Sequence, residues 1–300
     1  MKKGYILYAI IKNKKSVFLF LLTTALVISG LLEAKIYYPK VGYSQSQTPI
    51  FAFDMDKLLV NRGVFSAQLL GFLTYFWSTK EISCADKWRA LGLIKVLKTH
   101  GKKLAELAEI FDEQVAIDYA TKFFPLLKKK IATGETLGDR LLKVHLESAV
   151  WNDKTVTILK ELQDTGYPTA IATNHSGDTV FYPLLKTPEC PLELEKFAEI
   201  FTSNSAPLRP GQVHCKKPDP EYFNFMDQRL QKKLNPSTNP AQKRMIIFID
   251  DSEDNARACP DATENCIGVH FDLKNPNAVE QLRNDLADLG TKIARKNSGK

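Results

Sequence analysis

A chain of 300 residues, 44% apolar and 25% charged, is long enough for one large domain or two modest ones, and buries a core without staples. That composition excludes intrinsic disorder, a collagen-like fibre and a multi-span membrane protein. The formal charge of +7 suggests an anionic partner, but much of it is local: residues 1–34 hold five lysines and one glutamate, leaving 36 basic against 33 acidic side chains, a net +3. The lysine runs at 128–130 and 232–233 read as solvated helix faces. No aromatic-interleaved basic stripe argues for nucleic acid.

The chain begins with Lys2, Lys3, Lys12, Lys14 and Lys15, followed by the uncharged run Ser16–Leu32. This pattern is that of a signal peptide, and the run is also nearly long enough to span a bilayer. Leu32-Glu33-Ala34 lacks the small residue that cleavage wants. Residues 1–34 therefore read as a cleaved leader, giving a periplasmic or extracellular protein, or as an N-terminal membrane anchor. The alternative is a buried first helix in a cytoplasmic protein. Residues 35–48 read as a polar linker.

Pro49–Phe53 is an apolar run of strand length that stops at an acidic cluster. Residues 66–77, 87–98, 102–111, 113–131 and 137–149 then carry apolar side chains at helical spacing, so 62–150 reads as a helical block. After Trp151 the rhythm becomes helix-then-strand. Asp153–Thr165 predicts a helix closed by Gly166, and Tyr167–Thr173 a buried strand. Phe197–Thr202 reads as a short strand, Pro220–Leu234 as a helix, 235–241 as a loop, and Arg244–Ile249 and Ile267–Phe271 as strands. Residues 276–289 read as a last helix and 291–300 as a basic tail. The five cysteines lack metal-ligand spacing and read first as simple thiols. In an exported chain, Cys259 and Cys266 are the nearest pair for a disulfide.

Alternating helices and continuously apolar strands imply an α/β fold: a Rossmann-like three-layer core with a parallel sheet, formed by 49–61 and 151–290, with 62–150 inserted. In such sheets ligands bind beyond the carboxyl ends of the strands. Three strands end there in polar groups, namely Asp54-Met55-Asp56, Thr173-Asn174 and Asp250-Asp251, and a loop carries Lys216-Lys217-Pro218-Asp219-Pro220. Clustered carboxylates repel one another, and a divalent cation relieves this. Oxygen-only ligands favour magnesium. Taken singly, each cluster also reads as a loop, turn or helix cap.

In this order and spacing, FDMDKLLV, AIATN, KKPDPEYF and FIDDSEDNARA resemble the four motifs of the haloacid dehalogenase (HAD) superfamily. The resemblance covers about 50–60 and 151–272. It implies a phosphatase in which Asp54 attacks phosphorus and forms an aspartyl-phosphate. Asp56 would serve as acid and then base, and Thr173 and Lys217 would hold the phosphoryl oxygens. Lys216 is the rival to Lys217. Asn174 would border the substrate, with His175 beside it. Magnesium would be held by Asp54, Asp250, Asp251 and the Asp56 carbonyl. Dehalogenases of the family lack the second aspartate of the first motif, so Asp56 favours phosphoryl chemistry. Lys57, where the family has a small residue, reads first as solvated.

The block 62–150 takes the position of the family's cap, which goes with small phosphorylated metabolites as substrates. Lys87, Arg89, Lys95 and Lys98 either contact anions or form a solvated face; helical spacing favours the second. The rival activities are a phosphomutase or phosphotransferase, and a catalytically idle binding protein with this fold.

Overall fold

Four residues, Ile50-Phe-Ala-Phe53, are buried completely or nearly so and become the central strand of the sheet. The structure is a computed structural model, which describes residues 35–39, 48–61, 76–80, 82–110, 113–131, 133–209, 213–235, 243–272, 275 and 277–297. The expected leader or anchor (1–34), most of the linker, the first stretch of the helical block and most of the loop 235–241 lie outside the described residues. Among the described residues, no helix is long and apolar enough to cross a membrane.

The chain enters through β1 (Lys35–Tyr37), β2 (Ile50–Phe53) and β3 (Val60–Asn61). Helices α1 (Cys84–Ala90), α2 (Gly92–Ile110) and α3 (Glu113–Thr121) follow, then a 3-10 turn at Pro125–Lys128 and α4 (Leu137–Glu147). β4 (Val150–Trp151), α5 (Asp153–Asp164), β5 (Thr169–Ala172) and the single turn α6 (Tyr182–Leu185) return the chain to the sheet. The remaining strands are β6 (Phe197–Phe201), β7 (Leu208–Arg209), β8 (Val213–His214), β9 (Ile246–Asp250) and β10 (Cys266–His270). The helices among and after them are α7 (Pro220–Leu234), α8 (Glu253–Ala262) and α9 (Ala278–Asn297).

Six strands form one sheet in the order β1-β10-β9-β2-β5-β6, parallel except for β1. One face packs Phe51, Phe53, Ile171, Ile247 and Ile249 against α5 and α9, through Leu159, Leu282 and Leu286. The other packs Ile50, Ala52, Ala170 and Phe248 against α7 and α8, through Tyr222, Phe223, Met226 and Cys259. Alternate residues of each strand thus feed opposite cores, and the three-layer α/β architecture expected from the sequence is present. Each fully buried Phe or Ile contributes about 1.5–3 kcal/mol of burial free energy. Helix α8 approaches the sheet so closely that a Cβ on Gly268 would lie 1.7 Å from the Ala256 carbonyl oxygen, so only glycine fits there.

The helices α1 to α4 lie between β3 and β4, which pair antiparallel as a two-stranded neck. They enclose a separate apolar cluster that includes Phe76, Leu93, Leu104, Ile117, Leu127 and Leu141, joined from the sheet side by Val180. The expected break between 98 and 102 is absent. Helix α2 continues through Gly101, whose helical cost of about 1 kcal/mol is smaller than what the buried stripe supplies. Thr136 and Asp139 form a capping box at the start of α4, which satisfies two otherwise unpaired backbone donors.

Two boundaries differ from the sequence reading. Lys35–Tyr37, expected in a linker, is an edge strand antiparallel to β10. Its polar side chains are held outside the sheet: Lys35 Nζ lies 3.0 Å from Glu253 Oε2, and the Tyr37 hydroxyl donates to Glu253 Oε1 at 2.6 Å. Helix α9 also runs on to Asn297, through the segment expected to be a tail, because Gly290 weakens a helix without ending it. By contrast, Gly166 closes α5 as expected, at φ +84. Its N–H donates to the Gln163 carbonyl at 3.0 Å, and that of Tyr167 to Leu162 at 3.0 Å, the bond pair of a Schellman cap. Cys259 and Cys266 are joined in a disulfide, while Cys84, Cys190 and Cys215 are free.

Candidate active site

The register of the sheet brings the polar strand ends together. Phe53 is level with Ile249 on one side and Ile171 on the other, so Asp54, Asp250 and Thr173 emerge at one edge. The Asp54 N–H continues the ladder by donating to the Ile249 carbonyl at 2.8 Å, and the Thr173 N–H donates to Phe201 at 2.8 Å. These backbone bonds fix where both side chains start. The edge lies beside the switch in strand order, where β5 goes to one side of β2 and β9 to the other, the usual place for a ligand in an open α/β sheet.

Lys217 closes the site. Its Nζ donates to Asp54 Oδ1 and to Asp250 Oδ2, each at 2.7 Å, and all three residues are buried. The loop that carries it is clamped from two sides. Asn174 Nδ2 donates to the Lys217 carbonyl at 3.0 Å, and the Lys217 N–H donates back to Asn174 Oδ1 at 2.8 Å. On the far side, Lys216 N–H donates to Asp219 Oδ2 at 3.1 Å. The Lys217–Pro218 peptide is cis. Lys217, not Lys216, is thus the lysine that reaches the carboxylates. Asn174, which the sequence places at the substrate, has both ends of its amide engaged by the Lys217 backbone.

Asp250 is held from two sides. Besides Lys217 it accepts from the Ser252 N–H at 2.8 Å and from Asn255 Nδ2 at 3.1 and 3.2 Å. Ser252 and Asn255 belong to the first turn of α8, where the helix dipole also favours negative charge. Asp251 lies at the rim. Lys57, expected to be solvated, brings its Nζ to 3.6 Å from Asp251 Oδ2 while remaining more than half exposed. The left-handed backbone of Lys57, at φ +57, turns the loop after Asp56 so that this side chain runs back along the site. Asp56 pairs with His175, whose Nε2 is 3.3 Å from Asp56 Oδ2. The His175 N–H in turn donates to Thr173 Oγ1 at 3.2 Å.

The electrostatics follow from burial. Desolvation pushes the Asp54 carboxyl well above its usual range; Lys217 opposes this, and Asp250 and Asp251 add to it. Asp251 is raised for the same first reason, with Lys57 opposing. Burial works against the Lys217 ammonium, but Asp250 and Asp54 more than offset it and its pKa is raised, so Lys217 stays charged at neutral pH. Beneath the site lies Tyr222, which the sequence pattern marks only as part of a helix. Its hydroxyl is fully buried with no hydrogen-bond partner among the described residues.

A divalent cation fits this arrangement. Carboxylate oxygens of Asp54, Asp250 and Asp251 lie within 4.8 Å of one another, and two lysines, Lys217 and the largely exposed Lys57, do not fully balance three carboxylates. The donors are all oxygens, the set that hard cations such as magnesium prefer. The Asp56 carboxylate stands apart from this group, beside His175. Its carbonyl oxygen already accepts the Leu58 N–H at 2.6 Å, with a second lone pair left over.

Fold and site together define an α/β protein with an acidic, lysine-bridged centre at the carboxyl edge of a parallel sheet. No protein-family model matches the sequence, and no curated protein matches it either. Solved structures similar in fold include a HAD-hydrolase, YfnB of Bacillus subtilis, bound to magnesium (19% identity, 74% of this chain and 86% of that one, TM-score 0.44). A HAD family enzyme of Bacteroides thetaiotaomicron, a single-site variant in complex with magnesium and inorganic phosphate, is 15% identical over 73% of this chain and 93% of that one, with TM-score 0.41. A HAD-superfamily hydrolase of Ehrlichia chaffeensis is 16% identical over 82% and 99%, with TM-score 0.38. Likeness of this degree concerns the course of the chain and carries nothing about reaction or substrate.

Proposed function

We propose that the chain is a magnesium-dependent phosphomonoester hydrolase of the HAD type that works through an aspartyl-phosphate. The observation that carries this reading is Lys217 Nζ, set 2.7 Å from both Asp54 and Asp250, with Asp251 completing a three-carboxylate cluster.

In the proposed reaction an Asp54 carboxylate oxygen attacks phosphorus, an O–P bond forms, and the bond to the leaving oxygen breaks. Asp56 gives that oxygen its proton, then takes one from the water that attacks phosphorus and frees Asp54. His175, at 3.3 Å, orients Asp56 for both transfers. Lys217 and the Thr173 hydroxyl stabilise charge on the phosphoryl oxygens. Asn174 holds the Lys217 loop in place. Asp54, Asp250, Asp251 and the Asp56 carbonyl would hold a magnesium ion, which would supply positive charge favouring the ionised form of Asp54 and the charge developing on the phosphoryl group.

The substrate in this reading is a small phosphorylated metabolite, the class that goes with a helical block inserted between the first two motifs, because closure of such a block would exclude a bulky surface. Export or anchoring through residues 1–34 belongs to the same proposal; mass spectrometry of the mature N-terminus separates cleavage from retention. The chemistry is tested by phosphate release from an aryl phosphate with magnesium. Asp54→Asn is expected to lower the rate by about 10³-fold or more, and a chelator to abolish it. Equal rates for Asp54→Asn and the unaltered chain reject Asp54 as nucleophile.

A further inference from the structure

Two lysines face the carboxylates of the sheet edge, and they are held in opposite ways. Lys217 is almost wholly buried, with its Nζ bonded at 2.7 Å to both Asp54 and Asp250. Lys57 stands at the rim: its side chain is 57% exposed and its Nζ lies 3.6 Å from Asp251 Oδ2, beyond hydrogen-bond length. Parting Lys217 from its carboxylates would strand buried charges, whereas Lys57 turns to solvent at little cost.

The root of Lys57 is fixed even though its tip is not. At φ +57 its backbone is left-handed, a conformation that crowds the Cβ of any residue but glycine. The neighbours impose this turn. The Lys57 N–H donates to the Val60 carbonyl at 2.7 Å, and the Leu59 and Val60 N–H groups both donate to the Met55 carbonyl at 3.0 Å. Leu58, Leu59 and Val60 are fully buried. Glycine would make the same turn without strain. What lysine adds is a positive charge at Asp251, where burial pushes the carboxyl up and Lys57 is the chief influence opposing it. Backbone strain of this kind gathers at functional sites.

We infer that Lys57 is a tethered competitor of the divalent ion: it pairs with Asp251 when no ion is bound, and it weakens the hold of the centre on the ion. The inference rests on the cation site of the proposed function, and goes beyond it by giving control of that site's affinity to a residue outside the ligand set. An ion on Asp251 would stand a few Å from the Lys57 ammonium. Repulsion between a divalent and a univalent charge at that range weakens binding by several-fold to about tenfold, even with the screening of water. Without the ion, the same ammonium brings Asp54, Asp250 and Asp251 closer to balance than Lys217 alone does. Of the two lysines, Lys57 is the one that yields.

Calorimetric titration of the full chain with magnesium chloride tests this without turnover. Lys57→Met is expected to tighten the dissociation constant by about fivefold to tenfold, and Lys57→Arg, which keeps the charge, to leave it within about twofold. Lys57→Gly, which also relieves the backbone, should tighten it as Lys57→Met does and serves where Lys57→Met folds poorly. In about 1 M sodium chloride, where the screening length is about 3 Å, the gap between variant and unaltered chain should close. Thermal melts read the same difference: magnesium should raise the midpoint of Lys57→Met more than that of the unaltered chain. Equal or weaker magnesium binding by Lys57→Met and Lys57→Gly overturns the inference and leaves the cation site standing. A gap that high salt leaves unchanged also overturns it, because competition between charges is screened. Magnesium binding to none of these proteins removes the cation site and the inference together.

Discussion

At the carboxyl edge of the sheet, Asp54 and Asp250 are buried, each hydrogen-bonded to the buried Lys217. In the helical block between β3 and β4, the buried cluster is made almost wholly of leucine, isoleucine, alanine and phenylalanine. The two regions therefore differ in what burial does for them. In the block it is the source of stability, as in any amphipathic helix bundle. At the sheet edge burial works against the charges, and the surrounding hydrophobic layers have to hold them there. Buried, mutually perturbed charges at a sheet edge are the arrangement that functional sites use, and the proposed function rests on them.

The sharpest way to test that contrast is Asp54→Asn. Activity is expected to fall by about 10³-fold or more while the melting temperature stays level or rises. The sign follows from the raised Asp54 carboxyl. A carboxyl that binds its proton more tightly when folded favours folding at low pH, and that contribution is lost as pH rises through the raised value. Ionising Asp54 therefore costs folding free energy, and asparagine removes that cost. A large drop in melting temperature would mean that Asp54 is structural.

Lys217→Met acts in the opposite direction on the same site. It leaves Asp54 and Asp250 buried without their shared cation, so a loss of about 3–5 kcal/mol is expected. Millimolar magnesium should recover part of it, read as a shift in thermal melts with and without the ion. No response to magnesium would count against the three carboxylates as a cation site.

In the block, Leu104→Ala removes a fully buried side chain of α2, with an expected cost of about 2–5 kcal/mol. If the block's core is separate, amides of 84–147 should lose hydrogen-exchange protection while β2, β5 and β9 keep theirs. Equal loss everywhere would make the two regions one cooperative unit. The smallest effect concerns Asp86, whose carboxyl is held below its usual range by hydrogen bonds from Lys129 and Ser83, against burial. Its contribution is present above the ordinary carboxylate pKa and is lost as pH falls below it. Asp86→Asn should flatten the acid limb of the block's unfolding curve and leave the alkaline side unchanged.

The same contrast explains what was legible in the sequence. Strands β2, β5, β9 and β10 announce themselves because both of their faces are buried, which writes an unbroken apolar run ending at a polar residue. Asp54, Thr173, Asp250 and Lys217 were legible for that reason, each standing at a strand end or in the loop that serves one. The pairing of Asp56 with His175, the clamp of Asn174 on the Lys217 backbone and the turn of Lys57 toward Asp251 were not legible. They depend on loop geometry that no periodicity encodes. β1 was hidden for another reason: an edge strand with polar side chains has the composition of a linker, and its partner Glu253 lies 218 residues from Lys35. The closeness of α8 to Gly268 likewise exists only in three dimensions.

The central claim is that Asp54 becomes phosphorylated, and chemical trapping tests it most directly. The full chain is mixed with magnesium and an aryl phosphate, acid-quenched during turnover and treated with borohydride, which reduces an acyl phosphate to the alcohol. Peptide mass spectrometry is expected to find homoserine at position 54, absent when substrate is omitted. Phosphate release with an unmodified aspartate at position 54 throughout turnover, or reduction at another carboxylate, would contradict the account.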